Sequence, residues 1–372
     1  MYISPSVLVI SLVLIFSTST SAQRENDSGA IWTQKLDVCD FGDKGTVRSE
    51  GVAAISSSQV AAYCVTTNPQ TLPELKARNE ETSSSPYQVL VLFLDATDGH
   101  VLQKASWPAI VNTQTDVFYV NDHQFLLVAA NMVQLIDRTT LATVHRLALP
   151  VPERGCERWT VVGSADGSSF GTSYNCEAND LFTGHIVVYR TTSFEKITSW
   201  VSEGRNFYDV YGDSISRWSS AHNDRDIILH LPGVPDETLR GVGYIMTRSI
   251  FVDENSILCC RGKSELRVIG ITGQEKAYIN LDPKHNLDNS KMAAARLFVS
   301  KTGQRIAALI FRIPWAGPWR WSCDVYDRNL RVVFSVDVAT FRRGLTAALS
   351  PDGKCLFLLR DNALHAYLIP RS

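Results

Sequence analysis

The sequence predicts an all-β fold, a seven-bladed β-propeller of four-stranded antiparallel blades, on three observations. A strand-and-turn unit recurs along the chain, its spacing suits one propeller blade, and long amphipathic helical patterns are absent. The clearest copies are Gln88-VLVLFLDATDG, Val133-QLIDRTT, Ile186-VVYRTTS, Leu266-RVIGITG and Cys323-DVYDRN, with weaker ones at Asp226-IILHLPG and Leu364-HAYLIP. Starts near 88, 132, 185, 226, 265, 321 and 364 are separated by 44, 53, 41, 39, 56 and 43 residues. That period lies in the range of about 40–50 typical of propeller blades.

The remaining strands fall around these anchors. Unit one is assigned Ile31-WTQKLDV, Gly51-VAAIS and Val60-AAYCV; residues 31–37 are either its innermost strand or a closing strand added to the last blade. Unit two is assigned Val101-LQKASW, Asp116-VFYV and Phe125-LLVAA. Unit five holds Ser249-IFVDE and Ser256-ILCC, and unit seven Val332-VFSVDV and Leu345-TAALSPDGKCLFLLR. Runs of four to seven Val, Ile, Leu, Phe and Tyr punctuated by Asp-Gly or Asn-Asp are hairpin grammar. Unit four, residues 201–231, is inferred from the gap it fills. Three stretches depart from the period: a polar insertion at 66–87, a Pro/Gly/Cys-containing segment at 151–182, and RIPWAGPWRW at 312–321.

Composition narrows the function classes. The 372 residues carry 36 Lys+Arg against 38 Asp+Glu, a net charge of −2, which excludes a polybasic nucleic-acid binder. Residues 1–22, MYISPSVLVISLVLIFSTSTSA, carry no charged side chain, and Val7 to Phe16 is an apolar run of signal-peptide length. Thr20-Ser21-Ala22 supplies small residues for cleavage before Gln23, followed by a polar arm at 23–30 and a single propeller domain at 31–372. No other stretch approaches the ~20 residues of a transmembrane helix. The expected location is secreted, periplasmic or extracellular, and Asn26-Asp27-Ser28 is a glycosylation sequon if export passes through an endoplasmic reticulum.

Two motifs carry a family resemblance. Leu349-SPDGKCLFLL resembles the turn-and-strand motif of YVTN and TolB-type blades, and Leu94-DATDGHVLQKASW resembles an element of quinoprotein-like repeats, with Asp98 in place of the usual Thr. The repeat grammar over residues 31–370 is similar to that of the WD40-like, YVTN repeat-like and quinoprotein-like propellers. This resemblance implies the fold; such folds host dehydrogenases, lactonases, sugar-binding proteins and scaffolds, so it implies no one activity.

Eight cysteines in an exported chain point to disulfides, and eight thiols allow 105 full pairings. Cys156 with Cys176 is the favoured local bridge, 19 residues lying between them; Cys39 with Cys64 and Cys323 with Cys355 are further candidates. Cys259-Cys260 is a vicinal pair. Neighbours on a strand face opposite sides, so two core thiols are favoured over the vicinal disulfide on which some quinoprotein dehydrogenases stack their quinone.

Catalytic constellations are few. Gly167-Ser168-Ser169-Phe170-Gly171 matches G-x-S-x-G but lacks the strand–turn–helix that a nucleophile elbow needs. His100, His123, His145, His185, His222, His230, His285 and His365 show no zinc-ligand spacing, and Asn223-Asp224-Arg225-Asp226 is a hairpin turn, not a calcium loop. Trp315, Trp319 and Trp321 form a candidate platform for a carbohydrate or hydrophobic ligand, with packing onto a neighbouring blade as the competing reading. The sequence specifies no cofactor. The leading functional reading is a non-catalytic exported binding module that recognises a protein or glycan through loops on one face. The alternative is a propeller enzyme, a quinoprotein-like oxidoreductase or a metal-dependent lactonase-like hydrolase, with its site at the central channel.

Overall fold

Every repeat marked in the sequence is the third strand of a four-stranded antiparallel sheet. The computed structural model describes residues 29–36, 50–67, 87–110, 113–149, 156, 159–178, 181–203, 208–219, 226–241, 249–261, 264–281, 291–313, 320–338, 345–360 and 363–371. Strand β1 (Ala30–Lys35) is followed by blade one: β2 (Glu50–Ala54), β3 (Gln59–Thr67), β4 (Tyr87–Asp95) and β5 (Val101–Ala109). Blade two is β6 (Asp116–Asn121), β7 (Gln124–Ala129), β8 (Met132–Asp137) and β9 (Thr143–Ala148). Blade three is β10 (Thr160–Gly163), β11 (Ser169–Ala178), β12 (Leu181–Arg190) and β13 (Lys196–Glu203). Blade four is β14 (Tyr208–Tyr211), β15 (Ser214–Ser219), β16 (Asp226–His230) and β17 (Glu237–Leu239). Blade five is β18 (Ile250–Asp253), β19 (Ser256–Arg261), β20 (Glu265–Gly270) and β21 (Glu275–Asn280). Blade six is β22 (Lys291–Val299), β23 (Arg305–Ile313), β24 (Arg320–Asp327) and β25 (Val332–Val338). Blade seven joins β26 (Thr346–Leu349), β27 (Cys355–Arg360) and β28 (Ala363–Leu368) to β1 as its outermost strand.

The third strands stand out in the sequence because neighbouring blades cover both of their faces. β8 and β16 are almost continuously buried, whereas the outer strands β5, β9 and β21 are largely exposed. A strand buried on both sides reads as an apolar run; an outer strand reads as a polar segment with no clear period. That is why two outer strands are misplaced by sequence reasoning. Val101-LQKASW closes blade one, not blade two, and Val332-VFSVDV closes blade six, not blade seven. Residues 31–37 are settled by pairing: Thr33, Gln34 and Lys35 align with His365, Leu364 and Ala363, so β1 closes the ring.

The core consists of seven apolar layers, one between each pair of adjacent blades. Between blades one and two, Val89, Val91 and Phe93 meet Phe125 and Leu127, with the Phe93 and Phe125 rings 5.5 Å apart. The closing layer joins Val60, Leu92 and Leu94 of blade one to Phe357 and Leu364 of blade seven, with Trp32 of β1 packed against it.

Two turn chemistries recur at one end of the ring. In turns from first to second strand, the hydroxyls of Ser164, Ser300 and Ser350 accept the main-chain N–H of Ser169, Arg305 and Cys355 at 3.0, 3.1 and 2.9 Å. In turns from third to fourth strand, the carboxylates of Asp95, Asp137 and Asp327 accept the N–H of Thr97, Thr139 and Asn329 at 2.7, 3.0 and 2.9 Å. Short polar side chains that satisfy their own turn amides explain the SPDGK and LDATDG signatures.

Candidate functional site

At the opposite end the blades differ in height. Asp95, Asp137 and Arg190 open equivalent turns, their N–H groups bonded to the carbonyls of His100, Ala142 and Glu195. Counting back from them, β4 begins eight residues earlier, β8 five and β12 nine. Blades one and three therefore rise three and four residues above blade two, about 10–13 Å at ~3.3 Å per residue. Among the described residues the result is a slot over blade two, one blade wide.

Its walls are aromatic. Blade one contributes Tyr87 and Trp107, both packed against the layer shared with blade two, and Ile110 stands exposed just after β5. Blade three contributes a row running across its strands at the level where blade two ends. Trp159 meets Tyr174 edge-on at 4.4 Å, and Tyr174 stacks on His185 at 4.6 Å with 3° between the planes. Val201 pairs with His185 in the next strand and is 60% exposed. Tyr174 and His185 are themselves cross-strand partners, so the interstrand spacing brings their rings into register. The Cys156–Cys176 disulfide, two residues along β11 from Tyr174, ties the incoming chain to this wall.

A second polar cluster lies on the axis, where the innermost strands meet. The Tyr63 phenol crosses β2 at Gly51, where a Cβ would fall 2.0 Å from the ring, and donates to the Asp116 carboxylate of β6 at 2.8 Å. The Gln114 amide donates to Asp116 and to the Val161 carbonyl (2.8 Å), and accepts the Val161 N–H at 2.6 Å, joining blades two and three. Burial first, and then the Asp116 carboxylate, hold the Tyr63 hydroxyl well above its ordinary pKa, while the Arg296 guanidinium of blade six acts in the opposite sense. Lys301, in the turn after β22, donates to the Tyr119 hydroxyl at 2.8 Å and lies over its ring. Blades two and six are not neighbours, so this contact spans the axis.

No protein-family model and no curated protein matches the sequence. Solved structures do resemble the fold. The WD40 domain of coronin from Toxoplasma gondii superposes with a TM-score of 0.54 at 8% identity, over 92% of this chain and 88% of that one. The Neurospora crassa Pan2 WD40 domain gives 0.51 at 9% identity, over 92% and 95%. The β-propeller domain of the Trilobed protease from Pyrococcus furiosus gives 0.52 at 10%, over 88% and 94%. This chain has a WD40-like β-propeller fold. The Pyrococcus domain has an open velcro topology; in the present WD40-like propeller β1 closes the ring.

Most residues singled out in the sequence belong to the framework of this WD40-like propeller. Trp321 of β24 is half-buried, its ring 4.9 Å from Phe311 and against the layer between blades six and seven; Trp315 and Trp319 lie outside the described residues. Cys323 and Cys355 are free thiols, which corrects the proposed bridge: Cys323 faces the layer between blades six and seven, Cys355 the one between seven and one. Cys259 and Cys260 are buried and not disulfide-bonded, facing the layers on opposite sides of blade five. Burial pushes the Cys259 and Cys323 thiols far up, which disfavours the thiolate form. Cys64 is disulfide-bonded, and Cys39, its expected partner, lies outside the described residues. Gly167-Ser168-Ser169 forms a turn into β11, with the Ser169 side chain buried. Among the described residues, no three His, Cys, Asp or Glu are grouped to hold a metal, and no helix is long and apolar enough to cross a membrane. His222 and His285 lie outside that set, as do residues 1–22, the expected signal segment.

Of the slot residues, only His185 carries a chemistry that the sequence flags. Trp159, Tyr174, His185 and Val201 are scattered in sequence and meet only through strand register. One sequence clue was the unusual length of the runs 169–178 and 181–190. Because the disulfide holds one wall of the slot, a Cys156→Ser/Cys176→Ser double variant is expected to lose about 3 kcal/mol of stability, the loop-entropy value for a closure of this size. Urea unfolding of the oxidised protein and the variant checks this; equal midpoints would show that blade three holds its shape without the bridge.

Proposed function

We propose that this chain is an exported, non-catalytic binding module that recognises a protein or glycan partner through one face of the propeller. The observation that carries the reading is the unequal height of the blades at one end. Two satisfied hydrogen-bonding schemes recur among the described turns at the other end, whereas here two tall blades flank a short one and face the gap with aromatic and exposed aliphatic side chains. Concave surfaces with a few large rings on a rigid scaffold suit recognition. Removal of residues 1–22 would leave β1 whole, so export is compatible with ring closure.

The test uses the protein purified from the medium or periplasm. N-terminal sequencing is expected to read from Gln23, and an intact Met1 in the exported fraction would overturn the export reading. A panel of glycans and of extracellular proteins from the source is then screened for saturable binding. Val201→Glu, which places a charge on the exposed wall, is expected to weaken binding about tenfold, the scale of introducing an unpaired charge at an interface. Val144→Glu, also exposed (46%) but on the outer strand of blade two, is expected to leave it unchanged. Stoichiometric divalent metal or a bound chromophore accompanied by turnover would favour the enzyme alternative.

A further inference from the structure

We propose that the slot takes an extended, uncharged peptide segment of a partner protein, about five residues long, and not a carbohydrate. The inference rests on the slot reading above and names its ligand. Trp159, Tyr174, His185 and Val201 form one row across the strands of blade three. Tyr174 and His185 lie face to face, Trp159 closes the other face of Tyr174, and Val201 pairs with His185 on its far side. Sugars stack on open ring faces. This wall presents ring edges instead, with the Tyr174 hydroxyl and the imidazole nitrogens at the rim. Aromatic edges are electropositive and suit carbonyl oxygen.

The floor points the same way. Blade two ends in a two-residue turn, Ala130-Asn131, with φ of +52° and +58°. The Asn131 carbonyl accepts the Leu149 N–H at 2.8 Å. Among the described residues, the Asn131 side-chain amide, the Tyr174 hydroxyl and the His185 ring have no hydrogen-bond partner, and all three residues are half-buried. Unspent hydrogen-bonding groups between aromatic walls match the N–H and C=O groups of an extended main chain. Charge agrees: none of the wall and floor side chains named, Tyr87 and Trp107 included, is Lys, Arg, Asp or Glu. A charged ligand side chain would lose hydration there without a counter-charge. Size fixes the rest. Stacked sheets lie about 10 Å apart, so blades one and three stand about 20 Å apart over blade two, and their own side chains fill about half of that. The remaining ~10 Å is the thickness of one strand with side chains on both faces, and the ~15 Å across four strands takes about five extended residues.

The experiment titrates the exported protein with N-acetylated, C-amidated peptides of three, five and seven residues drawn from Val, Leu, Tyr, Ser, Thr, Asn and Gln. Versions carrying Lys or Glu, and cellopentaose, maltopentaose and chitopentaose, form the other arms. The readout is the imidazole Cε1–H signal that disappears in His185→Gln. Saturable shifts are expected from uncharged peptides of five residues upward, and none from the sugars. Tyr174→Phe and Asn131→Gly each remove one hydrogen-bonding group and should weaken the tightest peptide about fivefold, as should methylation of a bonded main-chain nitrogen of that peptide. Thermal unfolding should be little changed, because the ring packing and the positive φ are kept. A sugar that saturates, outcompetes every peptide and is weakened by Val201→Glu overturns this inference and leaves the slot reading standing. Peptide binding that ignores Val201→Glu, Tyr174→Phe and Asn131→Gly overturns both. Tighter binding of the charged versions, or no saturation by any peptide, overturns the inference.

Discussion

Replacing Trp32 with alanine is expected to open the ring at its seam and to cost about 3 kcal/mol, the lower end of the range for truncating a large packed aromatic. Trp32 lies on β1, the strand that comes first in the described chain and completes the last blade. Its ring packs on the layer between blades seven and one, 6.2 Å from Phe357, and its indole N–H donates to the Ala96 carbonyl of blade one at 3.0 Å. One side chain thus joins the start of the chain, the last blade and the first. Removing it leaves main-chain pairing to β28, the Thr33–His365 hydrogen bond and the buried Leu36 to hold the seam. Trp32→Phe keeps most of the packing and loses the hydrogen bond, so a loss of about 1 kcal/mol is expected. Urea unfolding measures both, and limited proteolysis should cut Trp32→Ala near residues 29–36 first. If Trp32→Ala unfolds within about 1 kcal/mol of the parent, the ring closes without the Trp32 side chain.

The second large effect concerns two glycines with the same handedness of backbone and different surroundings. Gly167 and Gly212 have φ of +77° and +58°, where an alanine pays roughly 1 kcal/mol. Gly167 also abuts the preceding blade: a Cβ there would lie 2.1 Å from the Val120 carbonyl oxygen, whereas one at Gly212 would meet nothing within 4 Å. Gly212→Ala should therefore cost about 1 kcal/mol. Gly167→Ala adds a collision with backbone that has no rotamer to change, and about 3 kcal/mol or more is expected. Equal losses in thermal unfolding would mean that blades two and three slide apart to admit a methyl group. The comparison isolates the contact between blades from the strain of the turn.

The strain of other turns is met differently. Leu141, Phe194 and Leu330 also have positive φ, in turns from third to fourth strand, and none is glycine. Each side chain packs into a layer between blades; Leu330 is wholly buried there. Burial of a large apolar group, about 2 kcal/mol, offsets the conformational cost.

Local patterning was sufficient for much of the architecture. Strands covered on both faces announce themselves as apolar runs, and their turns by Ser and Asp that satisfy their own amides, so the number of blades and the third strand of each were legible. The strands at Val101 and Val332 close the preceding blades, against their sequence expectation, because an outer strand has one face in water and carries little apolar signal; its partner is decided by the hairpin before it. The seam was ambiguous for a different reason: β1 pairs with residues more than 300 positions away, and nothing in AIWTQK names its partner. The same holds for the sites. Tyr174 and His185 stack because one hairpin holds them in register, Lys301 reaches Tyr119 because the ring brings blades two and six face to face, and Cys323 and Cys355 stay reduced because they look into different layers. Period and turn chemistry act within a few residues and can be read along the chain. Closure, blade height and what meets at the axis arise from contacts between distant segments, and only the folded ring settles them.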